Sequence, residues 1–471
     1  MRHYDLCVIG SGPAGQRAAI QASKLGKSVC VVERREVVGG VAINTGTIPS
    51  KAMREAILRA GGHKAAMPTV TDFFSARNAL FTSLLGSCQE VIKAEVELVR
   101  GHFDRNGVDI VTGVGQFRDS HTIDAIGENA TTTLTADFVM IGVGTNPSKP
   151  GSMPFDGKTV ISSDEILKLP YLPKSMIVVG GGVIGTEYAS MLQALGVKVT
   201  LIEGRTRLLD FVDSEIVEAL QYHLRSNGAT LRMGEKVVTV RLVEPLSGVR
   251  TPSGSQVEAV LESGKAIRAD CLLYAVGRQG ATDGLNLGAA GLAVDNRGRI
   301  KVNQFYQTDV PHIYAAGDVI GFPALASTSL EQGRQAACHM FKHPFERVEE
   351  TLPYGIYSIP EISMVGWTEE RLTAEGVPYE SGIAHYREIA RGQLLGDEIG
   401  MLKLLIHQDS HVILGVHIIG TGATELVHIG QSAIAFKATV EHFVNTVFNY
   451  PTLAECYKTA AFNALNKLRA V

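Results

Sequence analysis

Thiols are scarce in this chain of 471 residues, and none is placed for metal or redox work. The six cysteines, Cys7, Cys30, Cys88, Cys271, Cys338 and Cys456, form no C-x-x-C pair and none has histidine at zinc spacing. That excludes a zinc module and a disulfide-stapled scaffold, and leaves small buried hydrophobes in a reducing compartment. Cys7 and Cys30 fall in two strands expected to be neighbours. Long apolar runs are missing too: none approaches the roughly 18 residues that a membrane span needs. No run of five or six like charges marks a basic arm or an acidic tail, and the formal net charge is only −4. Nucleic acid and membrane are therefore not expected as partners. The opening MRHYDLCVIGSG enters a strand at once, with no room for a signal peptide, so a cytoplasmic location is expected.

What is present is an ordinary globular composition, 45% hydrophobic and 20% charged, with ample material for a core. The length exceeds what one core supplies and suggests roughly three domains. An internal echo gives this division content. Val8 to Gly15, VIGSGPAG, returns as Val178 to Gly185, VVGGGVIG. Each copy leads into a helical pattern, a short turn and an apolar run ending in an acid, Glu33 in SVCVVE and Glu203 in VKVTLIE. Gly10, Gly12, Gly15 and Glu33 map onto Gly180, Gly182, Gly185 and Glu203 by one offset of 170 residues. A lone G-x-G-x-x-G is a weak signal. Here each copy has its strand, its helix and an acid 18 residues beyond the third glycine, which together specify a dinucleotide-binding βαβ unit. The glycines let a pyrophosphate approach the backbone at a helix N-terminus, and the acid accepts from a ribose hydroxyl.

The expected fold is α/β, with two Rossmann-like units and a C-terminal α+β part. The segments FVMIGVGTNP (Phe138 to Pro147) and CLLYAVGRQG (Cys271 to Gly280) read as the crossings by which the chain leaves the first unit and returns. LPYLPKS (Leu169 to Ser175) reads as an entry loop between them.

With these motifs in place, the chain resembles the flavoprotein disulfide reductases over nearly its whole length. GSGPAG with Glu33 resembles their FAD-binding start, and GTIPSKA the segment beneath the flavin. GGGVIGTE with Glu203 is similar to the nicotinamide unit, YAAGDV with Asp318 to the second FAD motif, and YSIPEISMVG (Tyr357 to Gly366) to the opening of the dimer domain. The resemblance implies an FAD domain at 1–150 completed by 276–350, an inserted NAD(P) domain at 151–275 and an interface domain at 351–471. It also implies a homodimer and leaves higher oligomers open. Contacts to FAD or the nicotinamide nucleotide are expected from Gly10, Gly12, Pro13, Gly15, Glu33, Arg34, Lys51, Gly115, Asp318, Gly180, Gly182, Gly185, Glu203, Arg205 and Gly277. No metal is expected.

The departures from the family pattern carry the functional expectation. Where the disulfide reductases have two redox cysteines, this chain has Ala42 and Thr47, so the thiol relay is absent. Their C-terminal His-Glu pair, contributed across the dimer, corresponds here to Tyr450 and Glu455 in NYPTLAE. A phenol with pKa about 10 is a poor proton shuttle near neutrality, where an imidazole titrates. Lys51 and Glu187, which the resemblance pairs beside flavin N5, are retained. A machine that accepts hydride but has no thiol relay must release it at the same face. The combination is similar to that of the soluble pyridine nucleotide transhydrogenases, which implies ping-pong exchange of hydride between NAD(H) and NADP(H). That subgroup shows the Thr of GTIPSK and the NYPT segment, whereas Ala42 replaces its cysteine. Glu203 suits a free 2′-hydroxyl, and Arg205 and Arg207 could swing to a 2′-phosphate. Reduction of a quinone by the same apparatus is the alternative.

Overall fold

The computed structural model describes residues 2–61, 73–245, 251, 253–346 and 351–469. Strand Arg2–Ile9 runs into the first glycine turn, and helix Pro13–Lys24 returns the chain to strand Val29–Glu33, which pairs in parallel with the first. All five residues of Val29–Glu33 are buried, as a parallel strand covered on both faces should be. The helix packs against Ala326–Met340, and a Cβ on Gly333 would stand 2.0 Å from the carbonyl oxygen of Ala14, so only glycine permits this approach. The parallel core continues with Asp109–Thr112 on one side and Thr131–Ile141 on the other. The free edge of Thr131–Ile141 is shared: its first half pairs with the antiparallel strand Thr122–Ile126, and Val139 to Ile141 pair with Ile313–Ala315. A distant part of the chain thus completes the first sheet.

The second copy repeats the plan. Strands Ser175–Val179, Lys198–Glu203, Thr230–Met233, Cys271–Tyr274 and Val160–Ser162 form one parallel sheet. An antiparallel meander, Val237–Val243, Gln256–Leu261 and Ala266–Ala269, covers one face. Between the two sheets the chain crosses out at Thr145–Pro147 and back at Arg278–Gly280, and these short strands pair with each other. A further sheet near the C-terminus is antiparallel, in the order Tyr354–Ile356, Ile362–Gly366, Ile413–Ile419, Met401–His407, Tyr379–His385, with helices Ala423–Ala435 and Glu455–Arg469 packed on it. The change of sheet expected at 350 falls at residues 347–350, outside those described.

Cys7 stands opposite Cys30 in the first sheet, and all six cysteines are free and buried. Among the described residues, no helix is long and apolar enough to cross a membrane.

Candidate functional site

The two glycine turns have the same construction, residue for residue. Gly10 has φ +102° and Gly180 φ +107°, a region that L side chains rarely adopt. A Cβ on Gly15 would lie 1.9 Å from the oxygen of Gly10, and one on Gly185 equally close to that of Gly180, so the third glycine of each turn lets the helix touch the turn. The middle glycine differs from both. Nothing lies within 3.8 Å of a Cβ built on Gly12, and nothing within 4 Å at Gly182. That face therefore leaves room for a ligand to approach the backbone. Each following helix has this glycine as N-cap, no capping side chain and no acid in its first turn. Its leading N–H groups are thereby left to an anion.

The first turn opens on a cleft of about 1100 Å³, counting space that reaches solvent. Its walls come from separate stretches of the chain: Gly10 to Ala14, Glu33 to Arg35, Ala42, Thr47, Gly113 to Gly115, Gly142 to Thr145, Asp318 and Ser329. Glu33 is held in place by Ser11, whose N–H and hydroxyl donate to Oε2 at 3.0 and 2.5 Å, and by the N–H of Arg35 at 3.1 Å to Oε1. Arg34 donates to Asn146 Oδ1 at 3.4 Å. A Cβ on Gly115 would meet Ile9 Cγ2 at 2.7 Å. Asp318 faces the cleft. Burial raises its pKa, against the lowering effect of Arg278, Thr145 and Ser329. Gly277, at φ +79°, lies outside the cleft lining, in the turn before the crossing strand Arg278–Gly280. An uncapped helix N-terminus, an unobstructed glycine, a fixed ribose-type acid and a long enclosed trough are what an FAD-sized dinucleotide requires.

In the second turn the acid is more heavily engaged. Glu203 accepts from Gly181 N–H at 2.6 Å and from Arg205 N–H at 2.9 Å, and the Arg205 guanidinium bonds both its oxygens at 3.0 and 3.1 Å. Burial would raise this carboxyl, but the bonds from Arg205 and Gly181 hold it below the usual range. Arg205 also bonds Asp210. Arg207 pairs with Glu370 at 3.0 Å and donates to the Asp210 carbonyl at 2.7 Å. In the structure each arginine has a carboxylate partner, so turning to a phosphate means exchanging one anion for another.

Lys51 and Glu187, 136 positions apart in sequence, meet between the two turns. The ammonium lies 2.9 Å from both carboxylate oxygens, 3.3 Å from Ser50 Oγ and 4.8 Å from the Tyr357 ring centroid. Glu187 also accepts from Tyr357 N–H at 2.9 Å. The helices that carry them begin at Thr47 and Val183, so both groups sit one turn in. Pro49 is tolerated in that first turn because its missing N–H would have been unpaired anyway. Ala42 and Thr47, the latter the first residue of this helix, line the cleft, whereas Lys51 one turn on does not. Tyr450, 69% exposed, and Glu455, whose carboxylate accepts from Thr452 N–H at 3.3 Å, do not line it. Two other large apolar side chains of the same C-terminal part are also exposed, Val447 at 91% and Phe436 at 86%.

Two arginines escaped the sequence reading. Arg278, whose pKa burial lowers, donates to the hydroxyl and carbonyl of Thr145, both at 2.8 Å, and Thr145 Oγ1 lies 3.5 Å from Asp318 Oδ2. Arg54, 6% exposed, joins the Lys51 helix to the C-terminal sheet through Ser358 O and Glu361 at 3.0 Å each. Arg278 adjoins Gly277 in YAVGRQG, a signal that was readable. Arg54 lay in a helix with nothing to distinguish it from a surface cation.

Comparisons with known proteins agree with this geometry. Residues 4–333 match the pyridine nucleotide-disulphide oxidoreductase model and residues 352–461 its dimerisation domain. The chain is 51% identical over 473 residues to a soluble pyridine nucleotide transhydrogenase of Mycobacterium tuberculosis, covering 100% of this chain and 99% of that one. It is 44% identical to one from Photobacterium profundum, over 99% and 98% of the two chains. Among solved structures, the HOCl-induced flavoprotein disulfide reductase RclA of Escherichia coli, as its Cu(II) complex, superposes with TM-score 0.87 at 25% identity over 98% of this chain and 99% of that one. LpdA of Mycobacterium tuberculosis shares the fold, with TM-score 0.86 at 24% identity over the same shares. The chain belongs to the pyridine nucleotide-disulphide oxidoreductase family.

Proposed function

We propose that this protein is an FAD-dependent pyridine nucleotide transhydrogenase that moves hydride between NAD(H) and NADP(H) in two half-reactions at one nicotinamide site. The observation that carries the reading is the state of the cleft beside Lys51. The Lys51–Glu187 pair is intact, while Ala42 and Thr47 line the wall without a thiol. No disulfide can form there to draw electrons away, so the site that takes hydride must also return it. The name shared by the curated relatives supports this reading.

FAD, when bound, supplies the two-electron carrier. The residues that would hold it are Gly10, Gly12, Pro13 and Gly15 at the pyrophosphate, Glu33 at the ribose and Asp318 farther along the cleft, with Arg34 and Gly115 as walls. Enclosure by so many segments favours one tightly held FAD per chain. Lys51, gripped by Glu187 and Tyr357, would offer a fixed positive charge to a bound flavin. Gly180, Gly182 and Gly185 receive the pyrophosphate of the nicotinamide nucleotide, and Glu203 its 2′-hydroxyl. Arg205 and Arg207 take a 2′-phosphate by leaving Glu203, Asp210 or Glu370. The matched dimerisation domain and the exposure of Phe436, Val447 and Tyr450 fit a homodimer in which Tyr450 and Glu455 serve the partner's cleft. The protein operates in the cytoplasm, with FAD-domain segments 1–150 and 276–350 flanking a nicotinamide domain at 151–275, followed by an interface domain.

The test is anaerobic and uses two mixes. FAD-loaded protein is treated with one equivalent of NADH, freed of nucleotide and mixed rapidly with NADP⁺. Prompt reoxidation with matching NADPH is expected. A protein that stays reduced with NADP⁺ but discharges to a quinone would overturn the proposal in favour of a quinone reductase.

A further inference from the structure

The face of the second parallel sheet that meets the meander should be apolar, and over Ile177, Val179 and Ile202 it is. At the edge of that face the character changes. Lys198 stands beside Ser175, and Thr200 beside Thr230, with Arg232 two residues farther on the same side. With Arg268 and its neighbours Ile267 and Ala269 as the opposite wall, these residues enclose a cavity of about 720 Å³, part of it open to solvent. Three cations and three hydroxyls line it, and among the described residues no carboxylate does.

The carboxylates behind the wall offset this positive charge only in part. Glu258 serves two guanidinium groups, Arg268 at 2.7 Å to one oxygen and Arg241 at 2.7 Å to the other. Asp270, the other nearby acid, is occupied by the N–H groups of Lys174 and Ser175 and by the Gln256 amide. Arg232 Nε is buried without any hydrogen-bond partner in the structure, an arrangement a folded protein ordinarily avoids. The nucleotide turns lie at the C-terminal ends of the strands. This cavity takes in the first residues of three of them, Ser175, Lys198 and Thr230, so it is a different place.

We propose that this cavity is a second anion site, which binds a phosphate group, free or carried by a small phosphorylated compound. Arg232 and Lys198 supply charge and the threonine hydroxyls donate to the remaining oxygens. Charge-assisted bonds from a fixed guanidinium and an ammonium are the usual means of holding such an oxyanion.

Calorimetric titration of the FAD-loaded protein with inorganic phosphate tests this without any nicotinamide turnover, so its outcome is independent of the transhydrogenase reading. One site that responds to Lys198 is expected per chain, distinct from any binding at the Gly180–Gly185 turn. It should persist in an Arg205→Gln, Arg207→Gln double variant and weaken about tenfold in Arg232→Gln and in Lys198→Gln, each of which removes one charge-assisted contact. Lys198 is exposed, so its replacement decides the matter if Arg232→Gln does not fold. Pyrophosphate and 5′-AMP titrated into the Arg205→Gln, Arg207→Gln protein separate a free anion from an esterified one, by which of them displaces phosphate. No binding to the parent protein, binding lost in the Arg205→Gln, Arg207→Gln protein, or binding unmoved by Lys198→Gln would each overturn the proposal.

Discussion

The two glycine turns of this molecule are near copies in backbone but opposites in enclosure. At the first, Glu33 is held by a hydroxyl and backbone N–H groups alone, and segments as distant as Gly142 to Thr145 and Asp318 close over the dinucleotide trough. At the second, Glu203 is bonded by a guanidinium that has a second carboxylate waiting in Asp210. The difference teaches that the motif sets how a pyrophosphate is held, while the surroundings decide whether the nucleotide stays or leaves. A cofactor wants the first environment and an exchanging substrate the second.

The most severe way to break the comparison is to fill the third glycine of each turn. Gly15→Ala sets a Cβ against the Gly10 oxygen and should yield protein without FAD, read from the flavin absorbance per chain. Gly185→Ala, with the same clash, should keep its FAD yet fail to be reduced by NADH. Loss of FAD from both variants would mean that the second unit is not independent. Next in size, Lys51→Ala should retain FAD and slow its reduction by NADH about a hundredfold, the scale of removing one fixed electrostatic stabiliser. Stopped-flow rates equal to the parent's would remove Lys51 from the chemistry.

Smaller effects sharpen the second site. Arg205→Gln should raise KM for NADPH about tenfold, one charge-assisted contact, and change that for NADH little. Equal changes for both nucleotides would assign Arg205 to loop structure instead. The smallest effect concerns stability. Burial would raise the Glu370 pKa, but its bonds to its own backbone N–H, to Arg207, to Ser214 and to Thr368 bring it down to about 2. A carboxylate depressed on folding contributes stability above its unfolded pKa and loses it as pH falls. The Tm advantage of the parent over Glu370→Gln should therefore be full near neutrality and fade from about pH 4.5 toward 2. An advantage independent of pH would show that the ionised carboxylate is not its source.

The parallel sheets were legible because their signals are local. An apolar run, a Gly-x-Gly-x-x-Gly turn and a terminal acid lie within about thirty residues, and hydrogen bonding along the chain does the rest. The crossing segments were legible for the same reason, but that Thr145–Pro147 pairs with Arg278–Gly280 was not part of that reading. Arg54 was not legible, since its partners Ser358 and Glu361 lie some three hundred positions away. The anion cavity was hidden for another reason. Lys198, Thr230 and Arg232 read as ordinary strand edges until the meander is laid across them.

By itself the sequence determined the α/β class, the duplicated dinucleotide unit and the missing thiols at Ala42 and Thr47, because each depends on which residues stand at which spacing. Only the tertiary structure decided that Lys51 lies 2.9 Å from Glu187, that Arg205 and Arg207 are already paired with acids, and that Arg232 has a buried N–H with no partner. Those facts depend on side chains brought together from different elements. Coulomb and hydrogen-bond energies depend on distance in space, which spacing along the chain does not specify.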